Sequence, residues 1–271
     1  MKIGIVVVCT NAYFILGVRF IKAFVKYYTG THKIHFYVFS DTDPTTYMPN
    51  ITNLTYKSLF NKDWASGTNS KFQSILSLKL SDCDHIYYFD ADTEINKDFG
   101  DWFIGDSVGG EHFSNRDKGE KPFDRNPKSK AYVPLDTPLP QMYYYGAFFG
   151  GRKDYVINLC KILIENQNAD KLIPYEPLWN DESYLNQYFH INPPSTVVPS
   201  DKFAFEISDK GGIENTKNTS LDISNLKAMI LKHPTESFTL VKGVPTFKQN
   251  GGKYRKKLRR NTRRKLKRKS K

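Results

Sequence analysis

The sequence predicts an α/β fold in which helices lie against a central sheet. Short apolar runs alternate along the chain with longer stretches of helical periodicity, which is the pattern of layered α/β proteins. The runs predict strands at residues 2–9, 34–40, 85–89, 143–149 and 195–198, and the longer stretches predict helices near 12–27, 69–80, 152–168 and 181–189. With 271 residues, the chain is long enough for one large α/β domain or two small ones.

The first predicted strand ends in small and polar residues that an aromatic ring follows. The exit Cys9-Thr10-Asn11-Ala12-Tyr13 suits a nucleobase, and a plain core strand that leads into a helix accounts for it equally well. No glycine-rich phosphate loop of the dinucleotide or P-loop type follows the strand, which argues against a Rossmann dehydrogenase and a kinase. A bound diphosphate would therefore have to be held by a metal ion and by Lys or Arg side chains.

The third predicted strand ends in two carboxylates one residue apart, Asp90 and Asp92. Ligands of open α/β sheets collect at the carboxyl ends of the strands. If the chain stays extended, both side chains point to the same side and can face one divalent cation, with positions left for diphosphate oxygens and water. Asp is also common in turns that follow strands, so the pair taken alone is a weak signal.

Residues 105–137 mix glycine, proline and charged residues without a clear period. This pattern predicts a long excursion over one face of the domain, and such excursions are usually lids or binding loops. A second polar, glycine-containing segment at 208–220 predicts another mobile loop, before a last short strand or helix at 226–231.

The fourth predicted strand, within Met142–Gly151, is a run of aromatic rings broken by small residues. Gly146 and Ala147 allow a ligand to approach closely, and Gly150 and Gly151 let the backbone turn into the next helix. Core packing alone would explain the rings equally well.

The segment Trp179–Asn186 opens the last predicted helix. Asn180 is a suitable N-cap, and the helix dipole favours Asp181 and Glu182 in the first turn, so a purely structural account exists. A tryptophan beside two acids also suits a sugar site, in which the ring packs on the apolar face of the sugar and the carboxylates bind its hydroxyl groups. A carboxylate there could stabilise or attack an oxocarbenium-like carbon.

The net charge of +12 comes from the C-terminal segment. Fourteen Lys and Arg and no acidic residues lie in 248–271, which leaves 26 basic and 28 acidic residues in 1–247. The sequence therefore predicts a charge-balanced domain at 1–247 and a disordered polybasic tail at 248–271. The tail would bind polyanions, either nucleic acid or an anionic membrane surface. A nucleic-acid-binding protein that uses this tail, with the α/β body as a scaffold, is the competing interpretation.

The three cysteines, Cys9, Cys83 and Cys160, lie far apart without metal-site spacing, which predicts reduced core residues in a reducing compartment. The chain shows no pattern of a signal peptide and no apolar run of about 18 residues. These features predict a soluble, cytoplasmic protein.

Taken together, these segments resemble glycosyltransferase family 6, which includes the blood-group A and B transferases and the α1,3-galactosyltransferase. The resemblance runs from about Ile3 to His233 and is carried, in family order, by five motifs: Ile34–Asp41, Asp90–Asp92, Pro127–Pro134, Tyr143–Gly151 and Trp179–Asn186. It implies a single nucleotide-sugar-binding domain of the GT-A type, with a mixed, mostly parallel central sheet.

The resemblance also implies an activity. Family members transfer galactose or N-acetylgalactosamine from a UDP-sugar donor to the 3-hydroxyl of an acceptor galactoside, with retention and with Mn²⁺. The lack of a membrane anchor departs from the animal enzymes and suits a microbial or viral member.

Roles for single residues of the donor site follow from the same motifs. Asp92 matches the more direct ligand of Mn²⁺ or another divalent cation, and Asp90 matches a ligand that also lies near the ribose and the donor sugar. Tyr13 matches the ring that stacks on uracil, and Lys71 falls where the family places an arginine near the donor. The residues implied to line the base are Val8, Cys9 and Thr10.

On the side of the transferred sugar, Trp179 matches an acceptor contact, Asp181 a donor-sugar contact and Glu182 the catalytic carboxylate. Asn180 stands where the family has a histidine, which changes one acceptor contact. Lys232 is implied as the remnant of a C-terminal phosphate-binding segment whose usual arginine is not evident in this sequence.

Tyr145 and Ala147 match the two positions that set the room for the acetamido group of the donor. Larger side chains there favour galactose, and smaller ones favour the N-acetyl sugar. A Tyr145 ring that points into the pocket therefore favours UDP-galactose slightly, whereas a ring swung away removes that preference.

Overall fold

The computed structural model describes residues 1–60, 64–80, 82–95, 97–116 and 120–200, and beyond them the backbone of the strands at 203–207, 228–231, 238–241 and 244–247. The chain divides into the units Met1–Lys232 and His233–Lys271. Three regions named from the sequence lie outside the described residues: the tail at 248–271, the loop at 208–220 and the donor-site candidate Lys232.

The first unit alternates strands and helices, as the sequence predicts. Its strands are β1 (Lys2–Val8), β2 (Lys33–Ser40), β3 (Leu54–Ser58), β4 (His85–Phe89), β5 (Thr93–Ile95), β6 (Ser107–Glu111), β7 (Tyr144–Arg152), β8 (Thr196–Val198), β9 (Phe203–Ile207) and β10 (Ala228–Leu231). Its helices are α1 (Tyr13–Tyr27), α2 (Trp64–Asn69), α3 (Lys71–Leu76), α4 (Lys153–Asp170) and α5 (Asn180–Ile191), with short 3-10 helices at Pro44–Tyr47 and Phe113–Arg116. In the second unit, β11 (Phe238–Val241) and β12 (Val244–Phe247) form an antiparallel pair.

Seven strands form the central sheet, in the order β3-β2-β1-β4-β7-β6-β8. All of them run parallel except β7, which is antiparallel to both β4 and β6. The predicted mixed, mostly parallel α/β sheet is therefore confirmed. The order turns back between β1 and β4, because the chain first builds outward to β3 and then resumes on the other side of β1. Such a switch point is where open α/β sheets bind their ligands.

Helices cover both faces of this sheet, because the strand residues alternate between two cores. The odd-numbered residues of β1, together with Cys9 just after it, pack with α1, whose Phe14, Val18 and Ile21 recur at helical spacing. The even-numbered Val6 and Val8 pack on the other face, against α3, α4 and α5. Burial on both faces explains why the inner strands read as continuous apolar runs.

The three cysteines are buried and form no disulfide, as expected of core residues. Within the described part of the chain, no helix combines the length and the apolar character needed to cross a bilayer.

The predicted excursion at 105–137 is partly wrong, since β6 lies inside it as an inner strand between β7 and β8. Val108 is the single large apolar residue of a strand that also contains Gly109 and Gly110, so no apolar run marks it. Gly109 is required by packing: a Cβ there would lie 2.9 Å from the Tyr144 ring and 3.1 Å from that of Phe189. The strand therefore forms without residues of high β propensity, because the two aromatic rings pack against a small residue at position 109.

The predicted turn at Gly150 and Gly151 is also wrong, because β7 continues to Arg152 and α4 begins at Lys153. Gly151 has a φ of +144°, which only glycine adopts readily, and it pairs with both Ile86 of β4 and Ser107 of β6. These glycines therefore serve close strand packing. The last predicted short element is a strand, β10, which lies between β5 and β9 in a three-stranded sheet.

Candidate active site

The end of β4 places Asp90 and Asp92 beside the exit of β1, at the switch point of the sheet. Val6 of β1 and Tyr88 of β4 are register partners, so the residues after them leave the sheet at the same edge. Since β7 is antiparallel to β4, the start of β7 reaches this edge as well, and the Asp90 amide donates to the Ala147 carbonyl at 2.9 Å. Three of the sequence motifs thus meet at one place.

The Asp-X-Asp segment turns at once instead of staying extended. The Thr93 amide donates to the Asp90 carbonyl at 3.1 Å, which closes a tight turn over the pair. The premise of an extended chain is therefore wrong, although both acids still lie at the carboxyl end of β4. Burial first, and then the charge of Asp90 and more weakly that of Asp92, raise the pKa of the Tyr88 hydroxyl well above its usual value, so both carboxylates lie near that hydroxyl.

Asp90 is oriented by two side chains that bind the same oxygen. Its Oδ1 accepts from the Tyr88 hydroxyl at 2.7 Å and from Lys71 Nζ at 3.3 Å. The side chain is still 30% exposed, so its second oxygen is available to a ligand. Asp92 is half-buried, and its Oδ1 is buried.

Lys71 is a fully buried ammonium at the centre of the site. Its Nζ lies 2.6 Å from Asp181 Oδ2, donates to the Gly146 carbonyl at 3.0 Å and sits 4.7 Å from the centroid of the Tyr88 ring. Burial alone would lower the pKa of Lys71, but the charges of Asp181 and Asp90 outweigh it and hold that pKa above its usual value. The side chain therefore remains a cation that joins the end of β4 to the start of α5.

The start of α5 differs from the sequence prediction. Trp179 occupies the N-cap position without a side-chain cap, and Asn180 is the first helical residue, with a φ of +46°. The expected N-cap role of Asn180 is therefore wrong. Ser183 supplies part of the missing cap, because its Oγ accepts from the Trp179 amide at 2.9 Å. Among the described non-glycine residues, positive φ occurs only at Asn180 and at Asn11, just after β1, so both left-handed residues border the site.

Glu182 is held against the start of β7. Its Oε2 accepts from the Gly146 amide at 2.7 Å, and a Cβ on Gly146 would lie 2.8 Å from the Glu182 Cβ. The close approach predicted at Gly146 is thus made by this glutamate. Burial first, and then the charge of Glu182, raise the pKa of the nearby Tyr143 hydroxyl well above its usual value.

The two positions implied to select the donor sugar are buried. Tyr145 is 2% exposed, and its ring lies against His112 with 4.3 Å between the ring centroids. Ala147 is buried in the same core, on the face of the sheet that α1 covers. His112 is a site neighbour that sequence reasoning missed, because a lone histidine inside an apparently irregular excursion carries no pattern.

The exit of β1 is ordered by the end of β2. Ser40 Oγ donates to the Cys9 carbonyl at 2.7 Å, and the Asn11 amide donates to Asp41 Oδ1 at 3.0 Å. Burial raises the pKa of the Cys9 thiol to about 12, so this thiol is a packing group. Tyr13, the first residue of α1, is half-buried beside this exit. The segment implied to bind uracil therefore has a fixed backbone and one partly exposed ring.

The donor set fits a hard divalent cation such as Mn²⁺ or Mg²⁺, because Asp90 and Asp92 offer carboxylate oxygens at a strand end. Among the described residues, no three His, Cys, Asp or Glu side chains converge into a self-sufficient metal site. A cation would complete its coordination with diphosphate oxygens and water.

Comparison with known proteins agrees with this arrangement. The family model described as glycosyltransferase family 6 matches residues 1–208. The chain is 24% identical over 210 residues to the globoside alpha-1,3-N-acetylgalactosaminyltransferase 1 of Gallus gallus, covering 73% of this chain and 60% of that protein. It is 25% identical over 208 residues to the histo-blood group ABO system transferase 2 of Rattus norvegicus, covering 72% and 61%.

A bacterial relative is similar over more of its own length. The chain is 28% identical over 211 residues to the O-antigen biosynthesis glycosyltransferase WbnI of Escherichia coli, covering 72% of this chain and 84% of that protein. The chain spans about 60% of the length of the animal relatives it matches. Because the family model matches most of its length and its sheet is of the GT-A type, this chain belongs to glycosyltransferase family 6.

Proposed function

We propose that the protein is a retaining glycosyltransferase that moves galactose or N-acetylgalactosamine from UDP to the 3-hydroxyl of an acceptor galactoside. The observation that carries the proposal is the cluster of Lys71, Asp90, Asp181 and Glu182 around the Gly146 peptide, at the switch point of the sheet. The names of the relatives support galactosyl or N-acetylgalactosaminyl transfer as the general reaction.

UDP would lie along the edge formed by β1 and β4. The exit of β1 offers Tyr13 to the uracil ring and Val8, Cys9 and Thr10 to its edge. Asp92 and Asp90 would hold Mn²⁺ or another divalent cation, which neutralises the charge that develops on the departing diphosphate. Tyr88 and Lys71 fix one oxygen of Asp90 and so leave the other in a defined direction.

Glu182 is the carboxylate proposed to face the cationic sugar carbon. Its hydrogen bond from the Gly146 amide fixes one oxygen and leaves the charge on a half-buried side chain. A carboxylate held in this way stabilises positive charge without having to reorganise. In a front-side displacement, Glu182 would only stabilise the cationic carbon, whereas in a double displacement its oxygen would bond to that carbon as the bond to UDP breaks, and the acceptor hydroxyl would later replace it. Both are kept as routes to retention.

Asp181 would bind the donor sugar, with the buried Lys71 holding its carboxylate in place. Because Asp181 is buried and paired with Lys71 at 2.6 Å, its carboxylate keeps one orientation for the sugar hydroxyl groups. Trp179, which is 48% exposed, offers its ring to the acceptor.

UDP-galactose is the donor that we propose as preferred. Tyr145 is 2% exposed with its ring against His112, and we take this ring to be a wall of the donor-sugar pocket that an acetamido group would have to displace. Displacing a packed ring is unfavourable, so the smaller sugar is favoured.

A panel of UDP-sugars tests the proposal directly. Each is incubated with the protein, with Mn²⁺ or with EDTA, and with or without a soluble galactoside such as lactose. We expect hydrolysis and transfer with UDP-galactose or UDP-N-acetylgalactosamine and none in EDTA. Failure to turn over any UDP-sugar in Mn²⁺ would contradict the proposed activity.

The fourteen basic residues at 248–271 favour a second candidate function, nucleic-acid binding through the tail. Salt-dependent DNA binding that is lost on truncation after residue 247, together with no UDP-sugar turnover, would support that candidate. Under the transferase proposal, the truncated chain keeps full turnover with lactose and loses only its binding to polyanions at low salt, including vesicles of anionic lipid.

A further inference from the structure

Two buried carboxylates flank the connection between α4 and α5, and neither belongs to the cluster around Gly146. Asp124 lies in the excursion after β6, and Asp170 is the last residue of α4. Their hydrogen bonds come from hydroxyl and amide groups, which carry no charge. Burying a carboxylate with only uncharged donors costs free energy. The groups that each carboxylate binds therefore indicate which part of the chain it holds in place.

Asp124 reaches the connection itself. Its Oδ2 accepts from the Tyr175 hydroxyl at 2.5 Å and from the Leu178 amide at 2.9 Å, while its Oδ1 accepts from the Asn126 amide at 2.9 Å. Leu178 directly precedes Trp179, and the Trp179 carbonyl receives the first helical hydrogen bond, from the Glu182 amide at 3.0 Å. Asp124 therefore fixes the backbone one residue before the exposed tryptophan.

Asp170 reaches a different set of groups. It accepts from Ser129 Oγ at 2.5 Å and from the Lys130 amide at 2.8 Å, and from the Tyr184 hydroxyl at 3.1 Å. Tyr184 lies inside α5, beyond its first turn. Asp170 thus ties the excursion to the body of the helix, not to the segment that carries Trp179.

Packing holds the segment before α5 at Pro177, which is buried, and leaves the next two residues largely exposed. Leu178 is 58% exposed and Trp179 is 48% exposed, and the connection at 171–179 has no helix or strand. Asp181 and Glu182, by contrast, are anchored separately by Lys71 and Gly146. Trp179 itself is held from the helix side, because its amide donates to Ser183 Oγ and its carbonyl accepts from the Glu182 amide. Loss of the Asp124 contacts would therefore loosen the chain on the Leu178 side of Trp179 while the donor-binding groups stay in place.

We propose that Asp124, acting with Tyr175, is a positioning residue that holds the Trp179 ring in place to receive the acceptor. The inference rests on the proposed function and goes beyond it, because it assigns control of acceptor binding to a buried carboxylate outside the catalytic cluster. Removing the carboxylate charge or the Tyr175 hydroxyl weakens the acceptor complex and leaves donor chemistry unchanged.

Tyr175→Phe and Tyr184→Phe form a matched pair for the test. Each removes one hydroxyl that donates to a buried carboxylate, Asp124 in one case and Asp170 in the other. Asp124→Asn is the third variant. The measurements are the KM for lactose, the rate of UDP-galactose hydrolysis without acceptor, and the melting temperature.

We expect Asp124→Asn to raise the KM for lactose about tenfold and Tyr175→Phe to raise it several-fold, since hydrogen bonds to a buried charge are among the stronger ones. UDP-galactose hydrolysis should stay within about twofold of the unmodified protein. Tyr184→Phe should lower the melting temperature as much as Tyr175→Phe does, without changing the KM for lactose.

Equal KM values for Tyr175→Phe and Tyr184→Phe would overturn the inference, as would a parallel loss of donor hydrolysis in Tyr175→Phe. If Asp124→Asn does not fold, the matched tyrosine pair decides. If the unmodified protein hydrolyses no UDP-sugar, the proposed function and this inference are both overturned. If the unmodified protein transfers the sugar but Asp124→Asn and Tyr175→Phe both leave the KM for the acceptor unaltered, the inference alone is overturned.

Discussion

The donor side and the acceptor side of the proposed site are held in place by different kinds of structure. On the donor side, Lys71, Asp90 and Asp181 come from α3, the end of β4 and the first turn of α5, and buried ion pairs join them. On the acceptor side, the connection at 171–179 is irregular, and hydrogen bonds to Asp124 and Ser183 and the burial of Pro177 fix its last residues. Donor geometry thus follows from the sheet, whereas acceptor geometry depends on a few loop side chains that can change without disturbing it.

The strongest test of the donor side is Asp92→Asn. Asparagine keeps the size of the side chain and removes the charge that a divalent cation requires, so turnover should be nearly abolished, as it should be in EDTA. Mn²⁺ binding, followed by electron paramagnetic resonance, should weaken in parallel. Unimpaired turnover by this variant, or by the unmodified protein in EDTA, would show that the acidic pair is not a metal site.

Glu182→Gln tests the catalytic charge alone, because glutamine can still accept the Gly146 hydrogen bond. We expect kcat to fall by a factor on the order of 10² to 10³, with the Kd for UDP unchanged, since the charge acts mainly in the transition state. The measurements are steady-state kinetics and UDP titration calorimetry. An equal loss of UDP affinity would instead assign Glu182 a structural role at the start of α5.

Lys71→Met tests whether ion pairs hold the donor side. Removing this ammonium leaves Asp181 buried without its partner, which should lower the free energy of unfolding by about 3–5 kcal/mol. Lys57→Met is the control, because Lys57 makes only an exposed hydrogen bond to the Ser77 carbonyl. Urea unfolding of both variants gives the comparison, and equal losses would show that the buried pairs contribute little.

The pH dependence of the Lys71→Met effect has a definite sign. The pKa of Lys71 is raised in the folded protein above the unfolded value of 10.5, so its stabilisation is complete below that value and is lost only as the pH rises through the folded pKa. This contribution of Lys71 should therefore be constant from about pH 6 to pH 9 and decrease only above about pH 10. Burial already raises the pKa of Asp181, and removal of Lys71 takes away the charge that opposes this, so the destabilisation of the variant should also grow as the pH rises and Asp181 ionises.

The smallest expected effect is on donor choice. Tyr145→Gly combined with Ala147→Gly should raise the use of UDP-N-acetylgalactosamine relative to UDP-galactose about tenfold, because relief of a steric clash is worth about 1–3 kcal/mol. Loss of the buried ring will also destabilise the core, so Ala147→Gly alone serves as a control that leaves the Tyr145–His112 contact intact. Preference of the unmodified protein for UDP-N-acetylgalactosamine would overturn the proposed choice and leave the family unchanged.

The sequence predicts the donor side better than the acceptor side, for physical reasons. The strands β1, β2 and β4 are buried on both faces, so their apolar runs are unmistakable, and the acids at the end of β4 follow directly. Lys71 could be placed only by resemblance, because its partner Asp181 is 110 positions away and no local pattern links them.

The features that sequence reasoning missed depend on distant neighbours. In β6, Gly109 fits under the rings of Tyr144 and Phe189, which lie far from it in sequence. The positive φ of Asn180 carries no local sequence signal either. Asp124 in the excursion is indistinguishable in sequence from an exposed loop acid. Its burial becomes visible only when the connection at 171–179 is folded over it.

The contacts of Gly146 limit which substitutions this chain can accept during evolution. Its N–H, in the Tyr145–Gly146 peptide, binds Glu182, and its C=O, in the Gly146–Ala147 peptide, binds Lys71. A flip of the first peptide would turn the Tyr145 carbonyl toward the carboxylate, and a flip of the second would turn the Ala147 N–H toward the ammonium. Both encounters are repulsive, and any side chain at Gly146 would collide with Glu182. Both charged residues thus depend on the backbone of the same glycine. The anionic and cationic residues are therefore expected to be inherited together, as a single unit with the glycine between them.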